Sequence, residues 1–160
     1  MEKYALAPWD KAVKFFTWST IFIFIFLYIL LWPGTDIWTH AIFIITFLLF
    51  GTIYIFGPRS YIVDENGILI NRLVGSITIP YKEILNVEKV EQMENLIRLL
   101  GNGGFFSYYG TFMNENNVKV KVYATNSRQM VKITTKKMIY YLSPRDPEAF
   151  VREIKKNVNK

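Results

Sequence analysis

Two long stretches of this chain have no polar face at all. Residues 15–32 read FFTWSTIFIFIFLYILLW and residues 37–56 read IWTHAIFIITFLLFGTIYIF. At the helical rise of 1.5 Å per residue, each run covers roughly 27–30 Å, the thickness of a hydrocarbon core. The IFIFIF portion alternates by residue type, but every position in it is apolar, so a strand there would have no polar side. It would also leave its backbone unpaired in lipid, which favours a helix. Pro33, Gly34, Thr35 and Asp36 separate the runs and supply turn chemistry for a tight antiparallel hairpin. Trp32 and Trp38 flank that turn, and Trp9, Trp18 and Tyr54 lie toward the other end, as in an interfacial aromatic belt.

Beyond residue 56 the pattern changes to short strands. Residues 61–63 and 68–70 flank Asp64, Glu65, Asn66 and Gly67, an Asn-Gly hairpin signal. Residues 76–79 form a further strand stopped by Pro80, and Tyr81, Lys82, Glu83 and Ile84 suit a helical turn. Strands are then expected over residues 86–91, 105–112, 118–124, 130–134 and 138–142. Asp146 as N-cap and Pro147 at the first helical position open a closing helix. Phe150, Val151, Ile154 and Val158 share one face of it, while Lys155 and Lys156 near its C-terminus suit the helix dipole. Three parts are expected: a segment over residues 1–14, a two-helix transmembrane hairpin over 15–56, and a mainly-β domain of about seven strands with a C-terminal capping helix over 57–160.

Charge sharpens the division. The chain of 160 residues is 51% hydrophobic and 17% aromatic, yet between residues 15 and 56 its one formal charge is Asp36. The net +6 belongs almost entirely to the segment after Phe56. Lys3, Lys11 and Lys14 precede the first run and Arg59 follows the second, so the positive-inside rule puts both termini in the cytoplasm of a two-span, multi-pass cell-membrane protein. The first run lacks a small-x-small cleavage site and a second run follows at once, which opposes a cleaved leader. The absence of cysteine excludes disulfides, thiolate metal sites, a Cys nucleophile and Cys lipidation. The single histidine, His40, sits near the outer end of the second run, where an interfacial residue needs no functional reading.

Several motifs in the β-rich part carry a family resemblance. The segment Arg98 to Phe106, with Gly101, Gly103 and Gly104, followed by Tyr108 and Gly110, resembles the glycine–aromatic segment of bacterial pleckstrin-homology (PH) domains that follow membrane helices. Tyr123 and Thr125 resemble that family's next strand ending; Ser143, Pro144, Asp146, Pro147 and Phe150 resemble its helix entry. The resemblance implies a PH-like barrel or sandwich whose helix plugs one open end, and these residues are expected to be structural. It implies no reaction.

The candidate chemistry is modest. The loop of Gly101, Asn102, Gly103 and Gly104 lacks the Lys and Ser/Thr of a phosphate-binding loop and enters a strand, so tight packing explains it better. Lys119 and Lys121 alternate with valines, and Arg128, Lys132, Lys136 and Lys137 are near in sequence; together they form a candidate anionic-lipid patch. The plainer alternative is a solvated sheet face, since lysines keep exposed strands from pairing. Phe105, Phe106, Tyr108 and Tyr109 are candidates for protein contact, with alternation turning about half of them inward. A phosphoinositide pocket is disfavoured, because the first hairpin offers Asp64, Glu65 and only Arg72. Nothing resembles a nucleic-acid motif, and no residues nominate a catalytic centre, a metal or a cofactor. The expected function is a non-catalytic, membrane-anchored interaction or scaffold module at the cytoplasmic face, binding another protein or its own copies. The alternatives are an anionic-headgroup sensor and an accessory subunit of a transporter or membrane enzyme.

Overall fold

The structure is a computed structural model and describes residues 2–32, 36–93 and 95–158. The apolar runs form α1 (Lys11–Leu31) and α2 (Ile37–Phe56). α1 begins four residues before its apolar run, because the Asp10 carboxylate accepts from the Val13 N–H at 2.8 Å and caps the first turn. Asp36 does the same for α2, accepting from the Thr39 N–H at 3.0 Å. Pro33, Gly34 and Thr35, read as the turn, lie outside the described residues. The helices meet through rings: Phe24 lies 5.3 Å from Phe43 and 6.0 Å from Phe47, and Tyr28 lies 5.1 Å from Phe43. His40 joins this contact, with its Nδ1 3.3 Å from the Tyr28 hydroxyl.

Both helices are long and apolar enough to cross a membrane, and the rest of the chain leaves them uncovered. No described residue of α2 is buried, and in α1 only Val13 and Thr17 are. A core helix of a water-soluble protein would hide one face.

The remaining chain forms two sheets and a helix. The first sheet holds β1 (Glu2–Ala5), β2 (Pro58–Val63), β3 (Gly67–Arg72) and β4 (Ile77–Pro80), in that order and antiparallel. A 3-10 turn over Tyr81–Glu83 leads to the second. It contains β5 (Ile84–Gln92), β6 (Ile97–Gly103), β7 (Tyr108–Met113), β8 (Lys119–Ala124), β9 (Arg128–Thr135) and β10 (Ile139–Leu142), ordered β5-β9-β10-β8-β7-β6. β10 inserts between β9 and β8 and pairs parallel with β8. α3 (Pro147–Val158) follows, with Asp146 accepting from the Ala149 N–H at 3.0 Å as its cap. The architecture is PH-like, as the pattern indicated, but with ten strands in two sheets among the described residues. The two strands that the pattern did not announce are β1, short and charged, and β6, whose Gly101, Asn102 and Gly103 read as loop.

Alternation gives the six-stranded sheet two buried faces. Tyr123, Val131, Ile133 and Leu142 face the first sheet and α3, meeting Tyr61, Ile68, Ile70, Phe150 and Ile154 in the larger core. Phe112, Val120, Val122, Met130 and Tyr141 face the other way into a second core. The link from β5 to β6 crosses this second face. The Met93 N–H donates to the Ser127 carbonyl at 2.8 Å, and the Asn95 amide reaches the Glu115 carboxylate at 2.7 Å, laying Met93 and Leu96 over the cluster. The same cluster includes Val13, fully buried, so the first turn of α1 is part of the core of the β domain.

Gly101 and Gly110 stand directly opposite each other across β6 and β7, at φ +118° and +123°. A Cβ on either would collide with the carbonyl facing it, Tyr109 for Gly101 and Leu100 for Gly110. This close pairing is what allows a glycine-rich segment to remain a strand. Gly110→Val is expected to destabilise the fold by about 2 kcal/mol or more. Gly51→Ala on α2, where a Cβ meets nothing within 4 Å, should not lower the thermal unfolding midpoint in detergent.

Candidate functional site

The distinctive region is the junction where the helix pair meets the β domain. The chain passes through it twice, from β1 into α1 and from α2 into β2. On the way in, residues 6–10 run along the domain as an extra layer. The Ala7 N–H donates to the Ser143 carbonyl at 2.8 Å, Leu6 bridges Pro144, and the Thr125 hydroxyl donates to the Ala7 carbonyl at 2.6 Å. On the way out, Gly57 alone separates α2 from β2, and a Cβ there would overlap the Ser107 hydroxyl. Arg59 folds back, its guanidinium 3.4 Å from the Tyr54 ring centre and donating to the Tyr54 carbonyl at 3.1 Å.

Asp10 is the node of the junction. One carboxylate oxygen caps α1, and the other accepts from the Ser127 N–H at 2.9 Å, the Ser127 hydroxyl at 2.8 Å and the Tyr108 hydroxyl at 3.1 Å. Burial alone would raise the Asp10 pKa, but these donors outweigh it and hold the carboxyl below its ordinary value. The Tyr108 phenol moves the opposite way, pushed up to about 12 by burial first and then by the Asp10 charge and hydrogen bond.

An aromatic wedge fills the gap between the helices above this node. Asn102, buried, accepts from the Phe105 N–H at 3.2 Å and donates to the Phe105 and Ser107 carbonyls, which shapes the tip of the β6–β7 connection. Phe106 sits at φ +60°, and its N–H donates to the Thr17 hydroxyl of α1 at 2.9 Å. Phe105 lies 5.3 Å from Phe50 and 6.3 Å from Phe16; Phe106 lies 5.3 Å from Tyr54 and 6.0 Å from Trp9. Both helices are thereby tied to one loop.

A cavity of about 510 Å³ opens beside the node, at the first turn of α1. Lys11 and Lys14 from the helix, Arg128 from the β8–β9 corner and Arg145 from the approach to α3 contribute to its wall. Among the described residues none of these four makes an ion pair.

Residues 59–158 match the family model of the bacterial PH domain. The chain belongs to the bacterial PH domain family. PH-like domains are generally non-catalytic binding modules. The same comparisons match the chain to no curated protein and to no solved structure.

Within this PH domain the residues singled out from sequence separate into distinct places. Lys119 and Lys121 share a face with Tyr123, whereas Lys132, registered opposite Tyr141, lies on the other face of the same sheet. Lys121 donates to the Thr111 hydroxyl at 2.9 Å, and Lys137 pairs with Glu83 at 3.0 Å. Lys119 starts β8 five residues, or about 16 Å, from the Ala124 end that faces the helices. Lys136 and Lys137 occupy the β9–β10 turn at that same far end. Arg128 alone of the six lies at the junction, so the expected single basic face is divided. Of the four aromatics, Phe105 and Phe106 pack on the helices, Tyr108 is buried against Asp10, and Tyr109 is half-buried beside the larger core. The motif residues serve the fold: Arg98 covers Gly103, Gly104 lies under Phe16, and the Tyr61 hydroxyl joins the Tyr123 carbonyl to the Ser143 N–H at 2.6 and 3.0 Å. Asp10 was not singled out, although an Asp three residues before a buried helical position is an N-cap signal.

Because the Asp10 pKa is depressed in the folded chain, its contribution is full above the ordinary carboxylate value and is lost as pH falls through the folded one. Stability in detergent is therefore expected to decline below about pH 4. Asp10→Ala should cost about 2 kcal/mol at pH 7, and Asp10→Asn should flatten the acid-side slope. Chemical denaturation at several pH values reads both.

Proposed function

We propose that the chain is a membrane-anchored, non-catalytic interaction module. α1 and α2 span the bilayer, both termini are cytoplasmic, and the PH domain is held at the cytoplasmic face, where it binds a protein partner or a second copy of itself. The observation that carries the reading is the contrast along α1. Val13 and Thr17 are buried in the domain, while Trp18, Phe22, Phe26 and Ile29 beyond them are 54–69% exposed with no protein to cover them. Apolar surface on that scale needs a non-aqueous solvent. The excess of Lys3, Lys11, Lys14 and Arg59 on the domain side supports the orientation.

The partner surface is best supported at β6. It is an edge strand, and Ile97, Leu99 and Leu100 on it are 64%, 45% and 74% exposed. Free strand edges with apolar side chains accept a further strand unless charge or proline blocks them, and β6 carries only Arg98 as protection.

The chain should resist extraction by alkaline carbonate and dissolve only with detergent; if it stays dispersed in plain buffer, the anchoring is refuted. Since the chain has no cysteine, Glu65→Cys at the β2–β3 turn should react with an impermeant maleimide only after cell lysis. Leu99→Lys with Leu100→Lys should abolish a cross-linked oligomer, or the co-purification of a stoichiometric partner, without lowering the unfolding midpoint. A wild-type monomer with no partner would reject β6 as an interface.

A further inference from the structure

We infer that the basic cavity at the start of α1 is a binding site for the phosphate of an anionic lipid headgroup. The inference rests on the membrane-anchored reading and adds a ligand to it.

Lys14 immediately precedes the apolar run that begins at Phe15, so the cavity mouth stands at the height of the headgroup layer when that run lies in hydrocarbon. Lys11, Lys14, Arg128 and Arg145 come from three separate stretches of chain and are brought to one concavity with no carboxylate partner among the described residues. The one acidic residue in the wall, Asp10, accepts from Val13, Ser127 and Tyr108, so its oxygens are occupied and the wall keeps a clear excess of positive charge. Four like charges held together repel one another, and a bound anion relieves that repulsion.

Chemistry narrows the ligand. Two guanidinium groups offer planar forks that match phosphate oxygens bidentately, and two ammonium groups add mobile point charges. A volume of about 510 Å³ exceeds what a bare phosphate needs and admits the glycerol portion of a lipid as well. Lys119, Lys136 and Lys137 supply the internal contrast, since they sit at the far end of the sheet. Half of the site's charge, from Lys11 and Lys14, precedes the segment matched to the PH family, so the site belongs to the join between anchor and domain.

The test uses the full chain in a neutral maltoside detergent and follows its thermal unfolding midpoint. Dioctanoyl phosphatidylglycerol should raise the midpoint by several degrees, and dioctanoyl phosphatidylcholine should not. The rise should vanish in Arg128→Glu with Arg145→Glu and persist in Lys119→Glu with Lys121→Glu. If the double glutamate variant does not fold, Lys14→Gln with Arg128→Gln should lower the apparent affinity for phosphatidylglycerol at least severalfold. No rise in the wild type, an equal rise with phosphatidylcholine, or a rise unaffected by the cavity variants overturns the site. An equal rise with sodium phosphate overturns the lipid as its source. Failure of the anchoring reading shows separately, as a chain that needs no detergent to remain dispersed.

Discussion

A single carboxylate organises the join between two unlike parts of this protein. Asp10 ends the extended segment along the β domain and starts α1, and its oxygens also collect the β8–β9 corner and a phenol from β7. Without those bonds the helix would begin in free linker. With them, its first turn is set at a defined angle and Val13 is driven into a core otherwise made of strands. The aromatic wedge depends on this placement, because Thr17 is one helical turn beyond Val13 and its hydroxyl receives the Phe106 amide.

The two cores divide the work. The larger one, between the sheets and under α3, holds the PH domain together through side chains from β2 to α3. The smaller one joins the domain to the helix pair and borrows from both. β6 and β7 make that arrangement possible: the Gly101–Gly110 pair lets the strands approach closely, and the Asn102 side chain then folds the connection into a tip narrow enough to enter between two helices.

Much of this architecture was legible in the sequence. The apolar runs, the Asn-Gly hairpin, the strand ending at Pro80 and the Asp146–Pro147 helix start each rest on local chemistry within a few residues, and each appears in the structure within a few residues of its expected bounds. β6 was not legible, because its glycines are strand residues only in the presence of β7. β1 was not, because a short charged edge strand differs little from loop. The basic cavity was hidden for a different reason. Lys14 and Arg145 are separated by most of the chain, and no spacing rule brings them together; the fold does. The lysines that do cluster in sequence were divided by alternation and by a turn. Proximity along the chain was a poor guide to proximity in space.

Gly57 leaves almost no slack between α2 and β2, and residues 6–10 are bonded to the domain along their length. Helix pair and domain therefore turn as one lever. On the membrane-anchored reading proposed above, any tilt by which the helices meet a thicker or thinner bilayer would carry the free edge of β6 with it.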